Sequence, residues 1–301
     1  MRIETKPPAE VAIDAPLVRA LLQEQHPDLG DLKLVDIGEG WDNRLFRLGD
    51  DLAVRLPRRA ASARLIEREQ RWLPSLSERL PLAVPVPRRT GRPGDRFPWR
   101  WSITSWFPGQ TALMAPPPDA QATAVALGQF LCALHQPAPP NAPHNPWRGV
   151  PLADRDKALR EHLRQLDGLV DREAVFTLWD RALSPSRWPG SPCWIHGDLH
   201  PANLVVSNGR LSAVIDFGDL AAGDPAVDLS VAWMLLPLSA RPAFRASARA
   251  SRDLIDDETW MRARGWALAL GLAYLARSGD DDGLRALAQS TIGAALNDSD
   301  P

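Results

Sequence analysis

The sequence predicts an α+β fold of two lobes, a small antiparallel-sheet lobe at residues 1–107 and a mostly helical lobe at 108–301. The first observation is a series of short strand-forming segments separated by turns, at 32–37, 44–48 and 52–56, with a further strand predicted at 101–107. The second is a helical pattern of apolar residues that begins after Asp119 and recurs through the C-terminal part, where the last three helices are predicted at 240–252, 256–277 and 280–296. A chain of 301 residues is long enough for two such lobes with a substantial core.

A glycine-rich turn separates the first two predicted strands. It spans residues 38–43 and includes Gly38, Gly40 and Asn43. Such a turn between antiparallel strands is either a plain hairpin or a loop that folds over phosphate groups with its backbone N–H groups. A dinucleotide-binding fingerprint is excluded, because its last glycine is missing and a strand follows instead of a helix.

The third predicted strand carries a central cation, Arg55, and a helical pattern follows at residues 60–77. Glu69 precedes the apolar Trp72 and Leu73 by about one turn, which places it near the stripe that faces the sheet. A solvated charge on the helix surface is the alternative for any glutamate in this segment.

The most informative stretch is residues 194–219, where two strand-forming runs each end in polar residues. An Asn-Gly dipeptide between the runs predicts a two-residue hairpin. This hairpin brings Asn203 and Asp216 toward the same region, near Asp198. An acceptor for a hydroxyl proton and hard oxygen ligands for magnesium are the groups that phosphoryl transfer requires.

Two other interpretations of this stretch are weaker. His196 and His200 have the spacing of a zinc pair, but Gly197 and Pro201 do not fit a helix that presents both. Aspartate and asparagine also commonly form turns and caps. The joint match of residue types and of two spacings favours the catalytic interpretation.

Composition narrows the class of protein. Hydrophobic residues make up 45% of the chain, as in an ordinary globular protein. The formal charge of -2 gives no basic excess for nucleic acid binding. Two cysteines make no disulfide framework, and the N-terminal stretch lacks the apolar core of a signal peptide. We therefore expect a cytoplasmic protein without a membrane span, as a monomer or homodimer.

The segments His-Gly-Asp-Leu-His-Pro-Ala-Asn at 196–203 and Ile-Asp-Phe-Gly-Asp at 215–219 resemble the aminoglycoside phosphotransferase family. This family is the small-molecule branch of the protein-kinase-like fold and includes macrolide phosphotransferases and choline kinases. The resemblance implies a nucleotide-binding lobe at 1–107 and a lobe with the catalytic loop and acceptor site at 108–301. It also implies that Asp198 accepts the proton of the acceptor hydroxyl.

The resemblance further implies that Asn203 and Asp216 hold Mg²⁺. Arg55 stands where the kinase-like fold keeps a lysine, and its fork geometry differs from that of an ammonium group. Glu69, with Glu67 as the competitor, is its implied ion-pair partner. The co-substrate is ATP or GTP, and its implied contacts are Gly38, Gly40, Asn43, Arg55, Glu69, Ser105 and Phe107.

The short interval after Asp216 limits the acceptor. Helix-start residues at Asp224 and Pro225 follow within a few positions, so there is no room for a peptide-binding activation segment. We expect a small hydroxylated acceptor, an aminoglycoside or macrolide antibiotic first, with a metabolic alcohol of the choline, homoserine or sugar type as the alternative. A nucleotide-binding module with little transferase activity is a further alternative, and so is an interaction scaffold. Trp147 and Arg148, in a long loop, are hypothesised to border the acceptor site.

Overall fold

The computed structural model describes residues 7–185, 187–249 and 255–298. A five-stranded antiparallel sheet in the order β1-β2-β3-β5-β4 forms the N-terminal part. It confirms the predicted small sheet. Strand β5 ends at Ser105, two residues earlier than the sequence pattern predicted. The strand bounds are β1 Leu34–Glu39, β2 Asn43–Leu48, β3 Leu52–Pro57, β4 Pro87–Gly91 and β5 Trp101–Ser105.

Two helices cover this sheet, α1 at Ala15–Gln25 and α2 at Ala60–Ser77. Leu21 of α1 packs with Phe46 and Trp101 in one apolar cluster. Helix α2 has the predicted bounds, and every third or fourth residue along its inner face is buried, as an amphipathic helix on a sheet requires. That face presents Glu69 toward the sheet.

The C-terminal part is mostly helical, as predicted. Helix α9 is buried on nearly all sides and forms the centre of the second core, against which the neighbouring helices pack. None of the helices in the described part of the chain combines the length and apolar character needed to cross a bilayer. The bounds are α3 Ala120–Leu134, α4 Asp156–Gln165, α5 Arg172–Leu183, α6 Ala226–Leu229, α7 Val231–Leu235, α8 Arg241–Arg249, α9 Asp257–Arg277 and α10 Asp282–Leu296.

Two of these helices differ from the sequence expectation. The helix predicted after Asp224 is broken into α6 and α7 at Ser230. The Ser230 hydroxyl donates to the Val227 carbonyl, and such a local side-chain bond competes with the backbone bonds of the helix. The helix predicted for 240–252 is seen as α8, and its predicted end lies outside the described residues.

Two small sheets complete the fold and hold the predicted loop segments. Strands β6 (Gln110–Thr111), β8 (Leu204–Ser207) and β9 (Arg210–Val214) form one sheet, and β7 (Cys193–Ile195) pairs with β10 (Ala221–Gly223) in the other. The turn between β8 and β9 has positive φ at Asn208 (52°) and Gly209 (73°). Both angles match the two-residue hairpin predicted from the Asn-Gly dipeptide. The two sheets therefore place residues 196–203 and 215–220 side by side.

Candidate active site

The loop after β7 is held by a buried aspartate. Asp228 is fully buried in α6, and its two carboxylate oxygens accept the backbone N–H groups of His196 at 2.7 Å and Gly197 at 2.8 Å. The Asp228 carboxylate also lies 3.1 Å from His135 Nε2. A buried carboxylate that accepts several N–H hydrogen bonds holds a loop firmly, because breaking any of these bonds would leave part of its charge without a partner.

His196 connects this loop to the strand that follows the hairpin. Its Nδ1 accepts the Asp198 backbone N–H at 3.2 Å, so Nε2 carries the proton and donates to the Ile215 carbonyl at 3.0 Å. Neither ring nitrogen is left for a metal. In the described residues no cluster of three or more His, Cys, Asp or Glu side chains is arranged to hold a metal ion. The zinc interpretation of His196 and His200 therefore has no structural support.

The Asp198 carboxylate is surrounded by donors. Oδ1 accepts from Arg148 Nη2 at 3.1 Å and from the Tyr274 hydroxyl at 3.3 Å, and Oδ2 lies 3.4 Å from His200 Nε2. Burial by itself would raise the pKa of Asp198, but His200, Arg148 and His196 hold that pKa well below its usual range. Asp198 is therefore an ionised acceptor at any physiological pH.

A backbone hydrogen bond at the base of the hairpin brings Asn203 close to the residue before Asp216. The Ile215 N–H donates to the Asn203 carbonyl at 2.9 Å, which ties the residue before Asp216 to Asn203. The Asn203 side-chain Nδ2 donates to the Asp198 carbonyl at 2.9 Å, so its Oδ1 is the atom left to act as a ligand. Asp216 has φ 63° and ψ 67°, a left-handed conformation rare outside glycine, asparagine and aspartate.

Arg55 links the N-terminal sheet to this region. Its guanidinium forks onto Glu69, with Nη1 at 2.5 Å from Oε2 and Nη2 at 3.2 Å from Oε1. The same Nη2 lies 3.8 Å from Asp216 Oδ1. Burial by itself would lower the pKa of Arg55, and the two carboxylates more than offset this and raise it. Glu67 is exposed, so the structure pairs Arg55 with Glu69.

A cavity of about 340 Å³ opens between the sheet and the hairpin. Among the residues predicted to contact a nucleotide, Gly40, Asn43, Arg55, Ser105 and Phe107 line it, and so does Asp216. Gly38 and Glu69 lie outside the lining, Glu69 directly behind Arg55. The lining does not include Asp198 or Asn203, which belong to the segment 196–203 and are joined by the bond from Asn203 Nδ2 to the Asp198 carbonyl.

The glycine-rich turn is fastened by residues that the sequence pattern did not single out. Asp42 Oδ1 accepts from Arg59 Nη2 at 2.9 Å and from Ser62 Oγ at 2.7 Å, which joins the turn to the start of α2. Arg58 donates to Glu39 and to the Trp41 carbonyl, each at 3.0 Å. The turn is therefore braced from one side. Within it, the Gly40 N–H donates to the Asn43 carbonyl at 2.8 Å and the Gly38 N–H donates to Asp36 Oδ1 at 2.9 Å.

A second group that the motif did not identify lies opposite the hairpin, in the loop before α4. The amide of Asn145, only 3% exposed, donates to Asp219 Oδ1 at 2.7 Å. Its own oxygen accepts the backbone N–H groups of Trp147 at 2.8 Å and Arg148 at 3.1 Å. This bridge positions Arg148 against Asp198. The sequence predicted that Arg148 lies near the acceptor site. No motif or spacing in the sequence marked Tyr274 or Asn145 as part of it.

Comparisons with known proteins agree with this geometry. The family model of the phosphotransferase enzyme family matches residues 33–266. A segment of 79 residues is 39% identical to the uncharacterized protein YcbJ of Bacillus subtilis (strain 168), and it covers 23% of this chain and 26% of that protein. The relative thus matches over about a quarter of its length.

Similar solved structures share the fold at low sequence identity. The GDP complex of wild-type aminoglycoside 2'-phosphotransferase-IIIa superposes with a TM-score of 0.68 at 19% identity, covering 94% of this chain and 99% of that one. Macrolide 2'-phosphotransferase MphH from Brachybacterium faecium has a TM-score of 0.62 at 22% identity, covering 96% and 99%. These likenesses confirm the kinase-like fold. Since the family model spans most of the residues, the chain belongs to the phosphotransferase enzyme family.

Proposed function

We propose that the protein transfers the γ-phosphoryl group of ATP or GTP to a hydroxyl of a small molecule. The observation that carries this proposal is the pair of hydrogen bonds that join Asn203 to Asp198 and to Ile215, the residue before Asp216, at the edge of the cavity that Arg55 lines. Proton acceptor, oxygen ligands and phosphate-binding cation are then adjacent, as in-line phosphoryl transfer requires.

The nucleotide occupies the cavity in this proposal. Ser105 and Phe107 flank the place for the base, where the chain leaves strand β5 and its backbone groups are no longer all paired within the sheet. Arg55 reaches the phosphates, and Glu69 fixes its orientation. Gly38, Gly40 and Asn43 belong to the turn that covers them. Solved neighbours were obtained with GDP and with ADP, which supports a nucleotide here and leaves both donors to be tested.

Magnesium fits the side chains at the end of the cavity. Asn203 offers an amide oxygen. The Asp216 carboxylate is 57% exposed, and the Arg55 guanidinium, at 3.8 Å, is too far away to form a hydrogen bond with it. Amide and carboxylate oxygens are the ligands that Mg²⁺ prefers in phosphate sites. Bound there, the ion would neutralise charge on the phosphates. Asn203 and Asp216 would hold it.

Asp198 orients the acceptor hydroxyl. A carboxylate offers about four lone-pair positions, and Arg148, Tyr274 and His200 use three of them. The remaining position is free for the acceptor O–H. Because its pKa is held so low, Asp198 is a weak base that takes the proton late, which suits a loose transition state in which the attacking oxygen is little bonded. Alignment and charge neutralisation then supply most of the rate enhancement.

The acceptor class follows from the fold neighbours and from the short segment after Asp216. Solved relatives are named for aminoglycosides and macrolides, so an antibiotic is the first class to test. A metabolic alcohol of similar size is the second. The 3-10 turn Phe217–Asp219 leads directly into β10, which leaves no platform for a peptide substrate.

A transfer assay with γ-labelled ATP and GTP tests the proposal. We expect Mg²⁺-dependent label transfer to an alcohol, a loss of about 10²–10⁴-fold in kcat for Asp198→Asn with nucleotide binding retained, and loss of Mg²⁺-dependent binding for Asp216→Ala. Mg²⁺-dependent nucleotide binding without transfer to any alcohol would instead support a binding module. Wild-type turnover in Asp198→Asn would remove Asp198 from its role.

A further inference from the structure

The side of the site away from the cavity carries arginines. A polycationic acceptor would instead require acidic side chains there. Arg148 contacts Asp198 directly, 3.1 Å from its Oδ1. Arg155, at the end of the 3-10 turn Leu152–Arg155, has its guanidinium carbon 5.6 Å from the ring centre of Trp147. Arg277 lies on α9 three residues beyond Tyr274, whose hydroxyl also contacts Asp198. We call Arg148, Arg155 and Arg277 the arginine rim.

The rim is built into the fold. Asn145 fixes the backbone of Arg148, and the Gly149 carbonyl accepts the Asp224 N–H at 2.8 Å. The turn that carries Arg155 packs on α9, which carries Arg277. Burial, followed by the proximity of Arg148 and Arg277, lowers the pKa of Arg155, as expected for cations gathered in one place.

Charge compensation on the rim is incomplete. Arg148 is paired with Asp198, and the nearby Asp219 is occupied by Asn145. Among the described residues no carboxylate forms an ion pair with Arg155, which lies beside the exposed Trp147. Two acidic residues at the start of α9 have partners outside the rim. Asp256 caps that helix through the Thr259 N–H, and Asp257 pairs with Arg245.

We propose that the acceptor alcohol carries an anionic group, a carboxylate or a phosphate monoester, which Arg155 binds beside Trp147 while the hydroxyl meets Asp198. An ammonium group in the same place would meet like charges, whereas an anion would pair with guanidinium donors in a fork geometry. This inference rests on the proposed phosphotransferase function and narrows its acceptor. It places aminoglycosides, which need an acidic pocket, behind anionic alcohols as substrates.

The test uses alcohols that share a carbon skeleton and carry a carboxylate, a phosphate monoester, a carboxamide or an amine, together with an aminoglycoside and a macrolide. Wild-type protein and the variants Arg155→Gln, Arg155→Glu and Arg210→Glu are compared. Arg210 is exposed on β9 and gives the same charge change away from the rim. Transfer is measured as kcat/KM, and binding by calorimetry with Mg²⁺ and a non-hydrolysable triphosphate.

We expect an anionic alcohol to be preferred over its carboxamide and amine. We also expect Arg155→Gln to reduce the ratio of kcat/KM for the anionic alcohol to that for its carboxamide by about tenfold, since one charged hydrogen bond is lost. The reduction should come from a higher KM for the anionic alcohol. Arg155→Glu should lower this ratio further, and Arg210→Glu should leave it unchanged. The carboxylate and phosphate arms decide which anion is recognised.

Preference for the amine or the aminoglycoside would overturn the anionic acceptor, and so would an equal effect of Arg155→Glu and Arg210→Glu. If the protein binds nucleotide with Mg²⁺ but binds no anionic alcohol, the anionic acceptor is also overturned, while the proposed function stands. Absence of Mg²⁺-dependent nucleotide binding would instead contradict the proposed function.

Discussion

Arg55 and Glu69 form a two-point ion pair inside the N-terminal part, with both side chains almost entirely buried. Such a pair adds little net stability by itself, but removing one partner leaves a buried charge without compensation. Glu69 does not line the cavity, so its influence on a nucleotide passes through the orientation of Arg55.

We expect Glu69→Gln to lower the free energy of unfolding by about 3 kcal/mol and to raise the KM for the nucleotide. Urea denaturation and initial-rate kinetics measure the two effects. Glu67→Gln is the matched control, because Glu67 is exposed on the same helix. That control should stay within about 0.5 kcal/mol of the wild type. Equal effects of the two variants would show that the buried pair has no special role.

The loop at residues 196–203 requires glycine at position 197, because a side chain with a Cβ does not fit there. Gly197 has φ 86°, and a Cβ there would lie 2.7 Å from the Asp219 carbonyl oxygen. Gly168 has φ 76° and no neighbour within 4 Å of a Cβ, so it is a control for backbone strain alone. We expect Gly168→Ala to cost about 1–2 kcal/mol and Gly197→Ala to cost clearly more, with loss of transfer activity. Denaturation midpoints that match for the two variants would contradict this steric account.

Asp219 makes stability depend on pH. Burial, and then the charge of Asp198, raises the pKa of the Asp219 carboxyl. Between the unfolded value of about 4 and the raised folded value, the folded chain binds more protons than the unfolded chain. The contribution of Asp219 to the free energy of unfolding therefore falls as pH rises through this window, and the loss is complete above the folded pKa.

We expect Asp219→Asn to remove this decrease, so that the variant gains stability relative to wild type as pH rises from about 4. Urea denaturation without nucleotide or divalent cation measures it. Asp95→Asn, at an exposed loop position, controls for the loss of one charge. Parallel pH curves for wild type and Asp219→Asn would contradict the assignment.

The conformation of the loop at 196–203 and of the hairpin could be predicted because their signals are local. The Asn-Gly turn, the Gly197 position and the spacing from Asp198 to Asn203 are all contained within 24 residues, 196–219, where a motif records the geometry directly. The resemblance to the family implied an ion-pair partner for Arg55 on this helix, and the position of Glu69 on the apolar face of the amphipathic helix favoured it over Glu67.

The surroundings of Asp198 could not be predicted in the same way. Arg148 and Tyr274 lie 50 and 76 residues from Asp198 along the chain, and they reach it only through the packing of a long loop and of α9. Helix α9 is apolar on nearly all sides, so its sequence does not mark the face on which Tyr274 lies. Strand β5 stops short of the predicted Phe107. The Trp106 N–H still donates to the Asp51 carbonyl at 2.7 Å, one step beyond the pairing of Leu52 with Ser105, but Pro108 has no N–H to extend the ladder.

The most direct test of the proposed site is a crystal structure with Mg²⁺ and a non-hydrolysable triphosphate. We expect one Mg²⁺ with Asn203 Oδ1 and an Asp216 oxygen both at about 2.1 Å, the base beside Ser105 and Phe107, and the terminal phosphate facing the Asp198 carboxylate. A triphosphate bound elsewhere, or a metal ion that contacts neither Asn203 nor Asp216, would contradict the proposal.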